Sequence, residues 1–145
     1  MNVFQNTYEQ RLRDWKQLRE TTKLLPLEQQ CIEIDRWWQM APFVNYHLSW
    51  NDTRDWPDPW TLLSENTYCG LTRALGMCYT FMMNDITDVE LVLASDEIAE
   101  EHYLVVVGNA KYICNYWIDS VISTRLNSFN IIDSKSLEFL KIKIK

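Results

Sequence analysis

Asn66-Thr67-Tyr68-Cys69-Gly70-Leu71-Thr72-Arg73-Ala74-Leu75-Gly76-Met77 reads as the opening of a helix with a cysteine at its N-terminal end. Asn66 and Thr67 are residue types that cap helix starts. Leu71, Ala74, Leu75, Cys78, Phe81 and Met82 then recur at the three- and four-residue spacing of a buried helical face. A thiol at such a start meets unpaired backbone N–H groups and the positive end of the helix dipole, and both favour its thiolate. Cys69 is therefore the candidate nucleophile. Cys31 and Cys78 fall on apolar helix faces and Cys114 follows strand alternation, so these three read as small core residues.

Downstream of Asn84-Asp85 the period changes from helical to extended. Val89, Leu91 and Leu93 mark one strand. His102 to Val107 and Lys111 to Trp117 are two more β-rich runs, and Gly108-Asn109 between them is a hairpin signal. A cysteine nucleophile needs a base, and the chain holds two histidines. His47 lies in an irregular stretch, whereas His102 opens an extended run, so His102 is the candidate. With Gly108-Asn109 as a two-residue loop, Val107 pairs with Ala110 and His102 faces Asn115, which then orients the imidazole. A three-residue loop would put Tyr116 opposite His102 instead. Pattern alone leaves open that Cys69 and His102 never meet.

Upstream, Phe4, Tyr8, Leu12, Trp15, Leu18, Thr22 and Leu25 outline an amphipathic helix. Pro26 suits the first turn of a second helix, with Leu27, Cys31, Ile34, Trp38 and Ala41 as its stripe and Pro42 beyond its end. The segment from Phe43 to Pro59 is a tryptophan-rich loop, and Asp58-Pro59 caps and opens a short helix. Near the C-terminus, Ser134 to Phe139 reads as a helical turn, and Lys141-Ile142-Lys143-Ile144-Lys145 as a lysine-protected edge strand. The fold class is α+β: N-terminal helices and a nucleophile-bearing helix packed on a small antiparallel sheet.

The segment from Asn66 to Met77 resembles the nucleophile segment of the transglutaminase-like superfamily of papain-like cysteine proteins, in which cysteine begins a helix. The stretch from His102 to Asn115 is similar to that family's second segment, a histidine on one strand and an acidic or amide residue near the end of the next. Trp56-Pro57-Asp58-Pro59-Trp60-Thr61-Leu62-Leu63 further resembles small members encoded by tailed bacteriophages. The likeness covers residues 56–117 as a catalytic-type core within one domain of 1–145, with 1–45 as a helical extension. It implies a thioester route to amide hydrolysis or acyl transfer by Cys69, His102 and Asn115. The Cys69 N–H and an indole N–H of Trp56 or Trp60 are the candidate oxyanion donors, and Tyr68, beside the nucleophile, is a candidate substrate contact. Because the family includes inactive scaffolds, a silent interaction protein is the alternative expectation.

Composition narrows the classes. The chain has 145 residues, 47% hydrophobic and 23% charged, as in one globular domain. Its net charge of −6 disfavours a phosphate backbone as partner. No stretch approaches the roughly 18 apolar residues of a membrane span, and no secretion signal opens the sequence. The four cysteines lack paired spacing and read as free thiols of a reducing cytoplasm, the host's if the chain is phage-encoded. The partner expected is a protein or peptide, and neither a metal nor a cofactor motif is present. The oligomeric state is not legible. Seven tryptophans, five of them between Trp37 and Trp60, belong to the core, to a cleft, or to both.

Overall fold

A computed structural model describes residues 2–44, 47–117, 121–123 and 128–144. Among them are α1 (Tyr8–Thr22), α2 (Leu27–Gln39), α3 (Pro59–Glu65) and α4 (Gly70–Met83). The strands are β1 (Val89–Ser95), β2 (Glu101–Val107), β3 (Tyr112–Cys114), β4 (Ile122–Ser123) and β5 (Asn130–Ser136). The N-terminal helix does not run continuously from Phe4. Thr7 takes extended backbone angles and accepts the Gln10 N–H, so α1 begins at Tyr8 after a separate 3-10 turn, Val3–Gln5. That break lets Phe4 fold back onto Trp37 and Tyr68, with ring centroids 4.8 and 5.6 Å apart.

The helices lock together around one hydroxyl. Thr80, fully buried in α4, accepts the indole N–H of Trp15 from α1 and of Trp38 from α2, each at 2.9 Å, while its own O–H donates to the Gly76 carbonyl. Two tryptophans thus enter the core with their polar atoms satisfied, which burial demands. Gly76 is where α2 comes nearest: a Cβ there would lie 2.6 Å from the Trp38 ring.

The five strands form an antiparallel sheet in the order β4-β3-β2-β1-β5. Side chains alternate between its faces. Val89, Leu91, Leu93, Val105 and Val107 join the helical core, with Tyr103 packed against it. Val92, Ala94, Leu104, Val106 and Ile113 form a second apolar cluster with Phe129 on the far side.

The β2–β3 connection corrects the sequence expectation. Val107 pairs with Tyr112 and Val105 with Cys114, so the loop is four residues, 108–111, and neither the two- nor the three-residue register holds. Gly108, Asn109 and Ala110 all take positive φ, and the Leu27 side chain of α2 sits 2.9 Å from where a Gly108 Cβ would stand. Asn115 then leaves the strand at φ 65°, so the ladder ends before it reaches His102.

Of the C-terminal expectations, the helical turn holds for Leu137 to Phe139 alone, and the edge strand is displaced upstream. Residues 130–136 form the edge strand β5 against β1, and Leu137–Ile144 is a 3-10 segment. Leu137 and Leu140 are buried and Ile144 packs on the same core, a near-helical spacing that outweighs the alternation of lysines and isoleucines. Lys145 of that run lies outside the described residues.

Candidate active site

Cys69 is itself the N-cap of α4, in place of Asn66 or Thr67. Asn66 instead ends α3 in the left-handed region, φ 56°, and its amide donates to the Phe4 carbonyl. The Cys69 N–H donates to Thr72 Oγ1 at 2.7 Å, and that hydroxyl stands 3.1 Å from the Cys69 carbonyl and 3.6 Å from Sγ. The thiol is half-buried, whereas Cys31, Cys78 and Cys114 are fully buried. Burial pushes the Cys78 thiol well above its ordinary range.

The side chain that β2 turns toward this thiol is Tyr103. Its ring lies 3.3 Å from where a Gly70 Cβ would stand, and Trp50 covers it at a centroid distance of 5.9 Å. Burial, and after it the neighbouring Cys69, raises the pKa of the Tyr103 hydroxyl. Trp50 is fixed in turn by its indole N–H, which donates to Asp133 Oδ2 at 2.8 Å.

His102 projects from the opposite face. Its ring meets Tyr116, Trp117 and Phe129 edge-on, at centroid distances of 4.8, 5.7 and 6.4 Å. Nε2 lies 2.9 Å from Asp96 Oδ2, with each of the two side chains only 9% exposed. That hydrogen bond is the first cause of a lowered Asp96 pKa, helped by the Ile98 and Glu100 N–H groups on Oδ1. Among the described residues no hydrogen bond joins Cys69 to His102.

Asn115 does not stand opposite His102. Its peptide N–H donates to Asp35 Oδ1 at 2.8 Å, and its Nδ2 to the carbonyls of Tyr103, 2.8 Å, and Gly70, 3.1 Å. Its Oδ1 accepts from Gln39 Nε2 at 3.2 Å. Asn115 therefore ties the first turn of α4 to β2 and holds Gly70 beside Tyr103. Trp56 is buried with its indole N–H on the Ser49 carbonyl, and the Tyr68 hydroxyl, also buried, donates to the Leu62 carbonyl. Trp60 is 37% exposed on α3, and His47 is exposed in its loop.

A cavity of about 430 Å³ opens along this groove, lined by Phe43, Gly70, Arg73, Tyr103 and Asn115 and also by Glu100, Glu101 and His102. The Arg73 guanidinium stacks 3.8 Å over the Phe43 ring and donates to the Ala41 carbonyl and to Gln39 Oε1. Sequence reasoning missed Trp50, Tyr103 and Asp96. Asp96 had one local signal, an aspartate followed by a polar turn between two β-rich runs.

No family model and no curated protein matches the sequence. Among solved structures the chain is similar to LapG of Legionella pneumophila. With the calcium-bound form it shares 10% identity at a TM-score of 0.74, covering 92% of this chain and 78% of that one. A second LapG structure gives 11% identity, 0.72, and 90% and 77%, and an EGTA-treated one 11%, 0.71, and 90% and 75%. LapG has the transglutaminase-like fold. What the two chains share at this identity is that α+β fold, and among the described residues no helix is long and apolar enough to cross a membrane.

Proposed function

We propose that this chain is an interaction protein on a transglutaminase-like scaffold, holding a protein or peptide segment in the groove lined by Gly70 and Tyr103, next to Cys69, without cleaving it. The observation that carries this reading is that Tyr103, and not His102, shares the sheet face of Cys69. A hydroxyl whose pKa is raised by burial does not take a thiol proton at neutral pH, and among the described residues no ring nitrogen is hydrogen-bonded to the thiol, whereas acyl transfer requires a base there. The groove offers apolar contact at Phe43, which is 58% exposed, and carboxylates at its lip. The setting we infer is a reducing cytoplasm, a host's if the chain is phage-encoded, in keeping with four free thiols.

The test is incubation of the protein with a complex peptide mixture, reading new N-termini and any acyl adduct on Cys69 by mass spectrometry. The expected result is neither product. Cleavage or acylation lost in both Cys69→Ala and His102→Ala would overturn the reading.

One observation favours the alternative, a cysteine amidase, peptidase or transglutaminase. Cys69 is a half-buried thiol at a helix start, whereas the other three are buried. In that reading Cys69 attacks an amide carbonyl, His102 takes the thiol proton and returns it to the leaving amine, and Asn115 orients His102, with hydrolysis favoured over cross-linking. His102 lines the same cavity as Gly70 but is bound to Asp96, so that reading requires the imidazole to exchange Asp96 for the thiol.

A further inference from the structure

We propose that Asp96, Glu100 and His102 form a binding site for one divalent transition-metal ion of the zinc class, at the tip of the β1–β2 hairpin. One ligand atom from each, two carboxylate oxygens and an imidazole nitrogen, all lie within 4.8 Å of one another. Zinc binds such atoms at roughly 2.0–2.2 Å, so ligands around a common ion stand about 3–4 Å apart. Small side-chain rotations bring this set to that spacing.

Three features distinguish the site from ordinary surface acids. First, two of its donors are already held in place. Asp96 Oδ1 is pinned by the N–H groups of Ile98 and Glu100, each at 3.0 Å, which leaves Oδ2 aimed at Nε2 of His102. The His102 ring is clamped by Tyr116, Trp117 and Phe129. Little side-chain freedom remains for binding to remove. Second, the loop brings the third donor back: Asp96 N–H donates to the Glu100 carbonyl at 2.9 Å, and Ala99 takes φ 63° to make that return. Third, the imidazole sets the metal class, because calcium and magnesium favour all-oxygen shells whereas imidazole suits zinc.

Three protein ligands leave a coordination position for water or for another ligand. A cavity of about 510 Å³ adjoins the site, with Asp96 and Glu97 on one side and Tyr116, Trp117 and Phe129 on the other. On binding, the ion replaces the proton between Nε2 and Asp96 Oδ2. In a neutral imidazole that single proton moves from Nε2 to Nδ1 by exchange with solvent, which frees the Nε2 lone pair for the ion and releases no net proton from the ring. Glu100 and His102 also stand in the wall of the groove that reaches Gly70 and Asn115, but metal binding is read by calorimetry and so is tested apart from the reading of that groove.

The experiment uses the full chain carrying Cys69→Ala, so that the half-buried thiol does not compete, stripped with a chelator and titrated calorimetrically with zinc chloride. Cobalt(II) absorption serves as a second readout of coordination. One zinc per chain is expected. His102→Ala should weaken binding by about 100-fold or more, and Glu100→Gln, an exposed side chain, by about 10–100-fold. Circular dichroism confirms folding of each variant, and if His102→Ala fails to fold, Glu100→Gln decides. Absence of saturable zinc binding, unchanged affinity in the folded variants, or displacement of zinc by equimolar calcium would each overturn the proposal.

Discussion

Residues 102 and 103 are neighbours in β2, yet the two faces of the sheet use them for different purposes. On the helix side Tyr103 stands beside Cys69 under Trp50, and Asn115 binds its carbonyl. On the far side His102 is bound to Asp96 and enclosed by aromatic rings. On the helix side the half-buried thiol has a tyrosine as its β2 neighbour, and on the far side the imidazole is bound to a carboxylate. The separation shows that residue types alone do not settle which side chains meet. Half a strand period decides which of them meet.

The largest effect expected is on the helix side. Trp38→Ala removes a fully buried ring and one of the two indole donors on Thr80, and should cost about 3–5 kcal/mol in chemical denaturation. A loss under about 1 kcal/mol would break the view that the helices are locked together around Thr80. Next, Asn115→Gly removes the side chain while tolerating φ 65°, and leaves the carbonyls of Gly70 and Tyr103 without that donor. Its expected cost is about 1–3 kcal/mol, with the pH profile of Cys69 alkylation unchanged.

Tyr103→His tests the comparison directly by placing an imidazole on the Cys69 face. Alkylation of Cys69 at neutral pH should become about tenfold faster, the order an imidazolium gives an ordinary thiol, while His102→Ala leaves the wild-type rate unchanged. The reverse pattern would mean that the faces have been assigned wrongly. The smallest effect concerns the Trp50 cover. The indole hydrogen bond holds the Asp133 carboxyl below its ordinary value of 3.8. A carboxylate depressed in the folded state contributes stability that is complete above the unfolded value and is lost as pH falls through the folded one. Trp50→Phe should therefore flatten the decline in melting temperature below about pH 4, and an unaltered acid limb would remove Asp133 from the account.

Elements whose signals are local were legible. Asp58-Pro59 opens α3 as its capping chemistry indicates, with the Asp58 side chain accepting the Thr61 N–H at 2.7 Å. The apolar stripe of α4 and the start of the extended region also stand where the sequence puts them. The hairpin register was not legible, because three consecutive left-handed residues depend on the turn packing against Leu27, 81 positions before Gly108. Nor was the face of β2. From Tyr103 to Val107 every residue is apolar or aromatic, since both faces of the strand are covered, so the alternation that would separate His102 from Tyr103 is missing.

The sequence by itself determined the α+β class, the helix that starts at a cysteine, and a small inventory of groups able to do chemistry. These follow from periodicity, capping and composition, which act over a few residues. Only the tertiary structure decided that Cys69 faces Tyr103, that Asn115 staples backbone and does not stand opposite the imidazole, and that Asp96 and Glu100 gather around His102. Each of those outcomes depends on strand register and sheet face, and the contacts that set them join residues far apart in the chain.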